Sequence, residues 1–188
     1  MSSAEVLDAF RKTGALLEGH FILRSGLHSR QFFQCALVLQ HAGLASKLCS
    51  ALARQIDVSK VDSVISPALG GLLVGQEIAR LLDKRHIFAE KEEGKLVLRR
   101  GFAVGQGERF LVAEDVVTQG GRVKETIEIV RARGGAVSAV AVLVDRSTGS
   151  IDFGVPFHSL IRMAVETFPA DQLPEDLKAI PAVKPGSR

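Results

Sequence analysis

The stretch FLVAEDVVTQGGRVKETIEIV, residues 110–130, predicts a strand, a tight turn and a helix in direct succession. An apolar run ends at two adjacent acids, Glu114 and Asp115, and a turn of small residues from Thr118 to Gly121 follows. The residues after the glycines have helical spacing. A glycine turn at a helix N-terminus presents backbone N–H groups that commonly bind phosphate. Two neighbouring carboxylates would repel a phosphate, so we expect them to contact another part of the ligand.

The same alternation of strand and helix continues through most of the chain. Because the strands read as nearly continuous apolar runs, the pattern predicts an α/β fold with a central parallel sheet flanked by helices. In such a sheet, ligands bind beyond the carboxyl ends of the strands. Strands are predicted at residues 61–66, 85–90, 108–114, 136–144 and 157–163, and helices at residues 4–13, 43–56, 72–82 and 123–133.

A chain of 188 residues is expected to form a single domain, 1–188. Residues 1–42 are predicted to form an N-terminal helix and a small hood of short strands, and residues 43–165 the core. Residues 181–188 contain prolines and a glycine, and we expect a loose tail there.

Composition narrows the class of protein. Hydrophobic residues make up 46% of the chain and charged residues 24%, as in ordinary globular proteins. No apolar run approaches the roughly 20 residues that span a bilayer, and no signal peptide is recognisable, so we expect a cytoplasmic protein without a membrane partner. The net charge of +3 is modest and the chain has no basic arm, so we expect no nucleic-acid partner. Cys35 and Cys49 are expected to be buried thiols, and the five histidines lack metal-ligand spacing.

A ribose next to a phosphate would satisfy both halves of the opening motif. Carboxylates accept hydrogen bonds from vicinal sugar hydroxyls, and they can also join a magnesium shell. Glycines let a phosphate approach the backbone closely. The chain contains neither a GxxxxGK[ST] nor a GxGxxG motif after a strand, which argues against P-loop and dinucleotide-binding proteins.

VAEDVVTQGG, residues 112–121, closely resembles the phosphoribosyl-pyrophosphate signature of type I phosphoribosyltransferases. HFILRSGLHSRQFFQ, residues 20–34, resembles the N-terminal element of the orotate phosphoribosyltransferases. PALGG at 67–71 resembles their pyrophosphate-side turn, and LVDR at 143–146 matches the strand end where they place an orotate-binding arginine.

The resemblance implies transfer of phosphoribosyl from phosphoribosyl pyrophosphate to orotate, giving orotidine 5′-monophosphate and pyrophosphate. It implies a Mg²⁺ cofactor held mainly by substrate and water, with no protein metal site, and a homodimer with shared active sites. The resemblance implies catalytic roles for Lys91 and Asp115, and it implies that Thr118 and Arg146 bind orotate. Phosphoribosyl pyrophosphate is expected to contact Lys91, Glu114, Asp115, Val116, Val117, Thr118, Gln119, Gly120, Gly121 and Arg122.

Two departures from the family pattern leave alternatives open. Gly70 stands where many members carry a lysine, and the loop KEEGKLVLRRG, residues 91–101, lacks the family's His-Gly. Lys95, Arg99 and Arg100 are candidates to replace the missing loop charge, or the segment is an ordinary exposed hairpin. The alternative functions are a phosphoribosyltransferase for another base and a non-catalytic regulatory relative that binds nucleic acid.

Overall fold

A computed structural model describes residues 1–23 and 25–185 of the chain. The helices are α1 (Ser3–Lys12), α2 (Ala36–Leu39), α3 (Ala42–Ala53), α4 (Gly70–Leu82), α5 (Gly121–Arg131) and α6 (Glu175–Lys178), with a short 3₁₀ helix at Val58–Lys60. The strands are β1 (Leu16–Ile22), β2 (His28–Phe33), β3 (Ser63–Pro67), β4 (Arg85–Glu92), β5 (Lys95–Leu98), β6 (Arg109–Val117), β7 (Ala136–Asp145), β8 (Phe157–Arg162) and β9 (Thr167–Phe168).

The main sheet has six strands in the order β5-β4-β3-β6-β7-β8. All neighbours pair in parallel except β4 and β5, which form an antiparallel hairpin. The predicted α/β fold with a central parallel sheet is therefore confirmed. The sequence did not predict that the hairpin would add an edge strand to this sheet.

The sheet is covered on both faces because its strands are apolar on both. On one face α3 and α4 pack over a cluster that includes Leu48, Ile78 and Leu143. On the other face α5 packs over a second cluster that includes Phe110, Ile127 and Val142. Helices on both faces leave the carboxyl edge of the sheet as the open side of the molecule. Within the described ranges, no helix is both long and apolar enough to cross a membrane.

The hood is a separate three-stranded sheet in the order β1-β2-β9. Its third strand comes from the far end of the chain, where Ser29 pairs with Thr167. Val183 adds a further bridge, because its N–H donates to the carbonyl of His20 and its own carbonyl accepts from Ile22 N, at 2.9 and 2.8 Å.

The C-terminal segment thus differs from the loose tail expected for residues 181–188. Backbone hydrogen bonds to β1 fix the chain at Val183, and unpaired backbone groups of β1 supply the reason. Residues 186–188 lie outside the described residues.

Candidate functional site

The acid pair lies where β6 extends past its neighbour. The β3–β6 pairing ends at Ile65 and Val112, so the next residues of β6 have no strand on that side. Side chains satisfy the exposed backbone there: the N–H of Asp115 donates to Glu114 Oε1 at 3.1 Å, and the N–H of Val116 donates to Asp115 Oδ1 at 2.8 Å. Both carboxylates are thereby oriented by the backbone at the carboxyl edge of the sheet.

The two acids have different environments. Glu114 is only 5% exposed, and burial together with the neighbouring Asp115 charge raises the pKa of its carboxyl to about 9. At neutral pH it is therefore protonated and uncharged. Asp115 is half-buried and lies against Gly70. Of the two acids, Asp115 is the one whose side chain reaches the open carboxyl edge of the sheet, called the crevice below.

The turn after β6 has the geometry of an anion site. Gly120 is the N-cap of α5, in the left-handed region at φ +77°, and as a glycine it has no side chain that could cap the helix. A Cβ at position 120 would lie 2.9 Å from the Phe153 ring, so this glycine is required by packing. A Cβ at Gly121 would meet nothing within 4 Å. The first N–H groups of the eleven-residue helix α5 thus adjoin open space.

The remaining residues of the predicted phosphoribosyl pyrophosphate set divide by exposure. Thr118, Gln119 and Arg122 are exposed, whereas Val117 is 2% exposed and Val116 packs against the core. The buried Val117 can therefore offer a ligand only its backbone groups.

A second turn, residues 67–71, closes against the acids. A Cβ at Gly70 would lie 2.6 Å from Asp115 Oδ1, and one at Gly71 would lie 3.0 Å from Glu114 Oε1. Arg122 ties this turn to α5, because its Nη1 donates to the carbonyl of Ala68 at 3.1 Å. The resemblance predicted the turn, but the sequence did not predict that its glycines contact the two acids. Nothing in the residues PALGG indicates which strand will lie beside them.

Arg146 follows the end of β7, beside β6. Its N–H donates to the carbonyl of Val117 at 2.8 Å, and its Cζ lies 5.6 Å from the centre of the Phe33 ring in the hood. Its side-chain Nε is buried and has no hydrogen-bond partner among the described residues. Burial lowers the pKa of this guanidinium, because it removes hydration from the charged form. Such an unpaired donor beside an aromatic ring is a suitable partner for a planar anion.

The thiol of Cys35 is buried near this arginine, as the sequence predicted for both cysteines. Burial raises the pKa of the Cys35 thiol well above its usual value, and the charge of Asp115 adds to the effect. The thiol stays neutral and acts as a small apolar residue at the floor of the crevice.

The loop with the predicted basic residues is the β4–β5 hairpin. Arg100 pairs with Glu90 at 2.7 Å, and Arg99 pairs with Glu92 at 3.2 Å. Lys91 is exposed and forms no ion pair within residues 1–23 and 25–185. In this conformation, the hairpin's arginines are neutralised by its own acids.

The hairpin is fixed on its own subunit close to its turn, where Leu96 pairs with Lys91. The N–H of Leu96 donates to Glu125 Oε1 on α5 at 2.5 Å, and Leu96 is buried next to Ile129. The structure therefore brings together residues 114–122 and Arg146 at one edge of the sheet. It places Lys91 on the part of β4 that extends past β3 into the hairpin.

The residues present fit a magnesium ion that is held mostly by substrate. Among the described residues, no group of three or more His, Cys, Asp or Glu side chains converges as a metal cage would. Asp115 offers one partly exposed carboxylate, and magnesium usually keeps several waters beside one or two carboxylates and substrate phosphates.

Comparison with known proteins places this site in a family. The sequence model of the phosphoribosyl transferase domain matches residues 38–152. The chain is 50% identical to orotate phosphoribosyltransferase of Desulforamulus reducens over 188 residues, which cover 100% of this chain and 98% of the relative. It is 49% identical to the enzyme of the same name from Pelotomaculum thermopropionicum, again over 188 residues, covering 100% of this chain and 99% of the relative.

The fold agrees with these matches. The crystal structure of orotate phosphoribosyltransferase from Aeropyrum pernix superposes with a TM-score of 0.74 at 27% identity, covering 84% of this chain and 93% of that one. Family model, full-length relatives and solved structure agree on the same family. The chain is therefore a member of the phosphoribosyltransferase family, in its orotate phosphoribosyltransferase branch.

Proposed function

We propose that this protein transfers the phosphoribosyl group of phosphoribosyl pyrophosphate to orotate, giving orotidine 5′-monophosphate and pyrophosphate in pyrimidine biosynthesis. The observation that carries the choice of orotate is Arg146, whose buried Nε has no partner and whose guanidinium lies over Phe33. A neutral base would offer that donor no carboxylate, whereas the orotate carboxylate would pair with the guanidinium. The full-length relatives at 49–50% identity are named orotate phosphoribosyltransferase.

The reaction breaks the bond from ribose C1 to the pyrophosphate oxygen and forms a bond from C1 to a nitrogen of the pyrimidine ring. The electron pair of the broken bond leaves with pyrophosphate, and positive charge develops on the sugar. The protein accelerates this exchange by holding both partners in line and by stabilising the separated charges. In this site Asp115 carries the negative charge nearest the sugar and accepts hydrogen bonds from its hydroxyls.

The open N-terminus of α5 and the turn before it would hold the 5′-phosphate. Backbone N–H groups and the Thr118 hydroxyl donate to the phosphate oxygens, and Gly121 leaves the space that those oxygens need. Arg122 is near enough to add a positive charge between this turn and residues 67–71.

We expect Gly121→Val to weaken binding of ribose 5-phosphate at least about tenfold while the fold stays intact, because the added side chain would occupy the phosphate space. Calorimetric titration with ribose 5-phosphate measures the change. Gly43→Val is the matched control, since Gly43 also stands in the first turn of a helix and a Cβ there likewise meets nothing within 4 Å. Equal affinity of both variants would show that Gly121 serves only the turn.

We expect Arg146→Ala to raise the KM for orotate by about tenfold to a hundredfold, with little change in the KM for phosphoribosyl pyrophosphate. Steady-state kinetics with each substrate varied in turn measures both constants. Arg162→Ala is the control, because Arg162 lies on the neighbouring strand opposite Asp145 and is exposed. Equal rises in both KM values would make Arg146 a structural residue.

Magnesium would be held by the oxygens of phosphoribosyl pyrophosphate and water, with Asp115 as the adjacent carboxylate. When bound, the ion neutralises charge on the pyrophosphate leaving group. Orientation of the sugar, binding of the 5′-phosphate and recognition of orotate all remain with the residues described above.

The partner of this chain in our proposal is a second copy of itself. In a homodimer with shared sites, the β4–β5 hairpin of one subunit reaches the crevice of the other and brings Lys91, Arg99 and Arg100 to the pyrophosphate. We place the enzyme in the cytoplasm, without nucleic-acid or membrane partners. A regulatory relative would need a dense basic surface, which the net charge of +3 does not favour.

An absorbance assay of orotate consumption with phosphoribosyl pyrophosphate and magnesium tests the function directly. Parallel reactions with adenine, hypoxanthine and uracil test the choice of base. Turnover of one of these bases in preference to orotate would support the alternative phosphoribosyltransferase, and no turnover of any base would overturn the enzymatic proposal.

A further inference from the structure

Three polar side chains form a hydrogen-bonded row beneath the turn at residues 67–71. His86 on β4 lies 2.8 Å from Ser66 Oγ on β3 through its Nε2, and its Nδ1 lies 3.2 Å from Gln76 Oε1 on α4. Because the amide oxygen of Gln76 can only accept, His86 Nδ1 carries the hydrogen and Nε2 accepts from the Ser66 hydroxyl. Three separate elements are thus joined through one imidazole.

Helix α4 rests on this row without any intervening side chain. A Cβ at Gly75 would lie 2.5 Å from His86 Nε2 and 2.9 Å from Ser66 Oγ. The helix backbone therefore meets the His86–Ser66 pair directly, one turn after Gly71. Since interiors are close-packed, a change in this pair shifts α4 rather than an intermediate layer.

The first residues of α4 are the ones that touch the acid pair. Gly70 and Gly71 approach Asp115 and Glu114 so closely that a methyl group would not fit. The depth at which α4 sits on β3 therefore sets the gap between the turn at 67–71 and the carboxylates. Ser66 lies directly before that turn, and Gln76 lies in the same helix.

Ser66, His86 and Gln76 resemble a nucleophile, its base and an orienting group, but no substrate can reach the serine. Ser66 is 0% exposed and lies beneath Gly75. Burial also lowers the pKa of His86 to about 4, so the ring stays neutral and the row keeps the same donors and acceptors at physiological pH.

We propose that Ser66, His86 and Gln76 are positioning residues that fix the pyrophosphate-side turn at the correct distance from Asp115. They touch neither substrate, and they act through α4. The inference rests on the proposed function, because it assigns residues 67–71 to the pyrophosphate end of phosphoribosyl pyrophosphate. The row therefore controls affinity for one end of one substrate only.

Ser66→Ala tests the proposal, with Ser63→Ala as the matched control. Ser63 lies on the same strand, is 2% exposed and also donates one side-chain hydrogen bond, to Glu108, but at the end of β3 away from the crevice. We expect Ser66→Ala to raise the inhibition constant of inorganic pyrophosphate and the KM for phosphoribosyl pyrophosphate by about tenfold. The KM for orotate and the affinity for ribose 5-phosphate should change less than about twofold in both variants.

Two further variants keep the test decisive if Ser66→Ala folds poorly. Gln76 is exposed, so Gln76→Ala should fold and still raise the pyrophosphate inhibition constant by about threefold. His86→Gln supplies an amide oxygen to accept from Ser66, and it should retain more pyrophosphate affinity than His86→Leu.

Equal changes for both substrates, or equal behaviour of the Ser66 and Ser63 variants, would overturn the positioning role. Equal pyrophosphate affinity in His86→Gln and His86→Leu would overturn it as well. If the wild-type protein did not consume orotate, the proposed function would fail, and direct titration of pyrophosphate would still decide the role of the row.

Discussion

Asp115→Asn is expected to lower kcat/KM by about tenfold to a hundredfold and to weaken binding of phosphoribosyl pyrophosphate, with no loss of fold. Losing a charge-assisted hydrogen bond to a ligand typically costs about 1.5–3 kcal/mol, which corresponds to that range. Asp115 is half-buried at the end of β6, where the fold needs an acceptor for the Val116 N–H but no charge. The amide oxygen of asparagine can still accept that hydrogen bond, so the substitution isolates the charge.

Glu114→Gln is the matched control, and its expected effect is below about threefold in kcat/KM. The wild-type carboxyl is already protonated at neutral pH, because burial raises its pKa to about 9. Glutamine therefore replaces a neutral acid by a neutral amide of nearly the same shape. Circular dichroism and thermal melts establish that both variants are folded. Wild-type kcat/KM in Asp115→Asn would remove Asp115 from ribose binding, and a larger loss in Glu114→Gln would reverse the roles of the two acids.

The stability of the wild type should depend on pH more steeply than that of Glu114→Gln. In the folded protein the pKa of Glu114 is raised above that of the unfolded chain, so its contribution to stability is complete at low pH and is lost as pH rises. Between pH 5 and 8 the free energy of unfolding of the wild type should fall by up to about 1.4 kcal/mol per pH unit relative to Glu114→Gln. Urea denaturation at several pH values measures the slope. Parallel curves for the two proteins would show that Glu114 is ionised in the fold.

Mixing two impaired proteins should raise the activity above that of either protein alone if the β4–β5 hairpin serves the partner's crevice. One carries Lys91→Ala, Arg99→Ala and Arg100→Ala, and the other carries Asp115→Asn. In a hybrid dimer, one of the two sites would combine an intact hairpin with an intact acid. Random exchange of equal amounts makes about half of the dimers hybrid, so about a quarter of the wild-type activity should return.

The same experiment separates this arrangement from an exposed hairpin that works on its own subunit or not at all. A hairpin acting in its own subunit would leave every site of the hybrid with one defect, and no activity would return. A triple variant with full activity would exclude the hairpin from the chemistry. Exchange is verified by mass spectrometry of differently tagged subunits. A triple variant at Lys12, Lys47 and Arg54 controls for the loss of three positive charges. These exposed residues lie on α1, on α3 and directly after α3.

The ion pairs within the hairpin must break before its arginines can bind the pyrophosphate. Glu90 and Glu92 neutralise Arg100 and Arg99 in the described conformation, and exposed pairs of this kind contribute about 0–1 kcal/mol. A pyrophosphate with several negative charges competes easily with such weak partners. The arginines are therefore available to a ligand even though they are paired without one.

The strand-turn-helix unit at residues 110–130 could be predicted from sequence because its signals are local. Apolar runs, adjacent acids and paired glycines each specify their own segment, and strand β6 and helix α5 form where the pattern indicates. The position of Arg146 at a strand end followed from the same periodicity. The central sheet was predictable for this reason, with element ends shifted by a few residues.

What sequence could not supply depends on contacts between distant segments. Strand β6 extends past β3, so side chains must satisfy its backbone there. This arrangement depends on the relative lengths of two paired strands. The neutral state of Glu114 follows from the packing of α4 over it, and no feature of the acid pair itself reports that burial. The link from Arg122 to Ala68 and the row from Ser66 to Gln76 likewise join residues that the sequence separates.

The hood has a consequence for how the protein is made. Its first two strands pair with each other and leave the ribosome early, but their further partners, Thr167 and Val183, are synthesised more than a hundred residues later. Contacts of such long sequence separation form late, because the intervening chain must be ordered first. Phe33, whose ring lies next to the Arg146 guanidinium, belongs to the second of these early strands. During synthesis the pocket for the sugar and its phosphate can therefore be assembled before the pocket for the base.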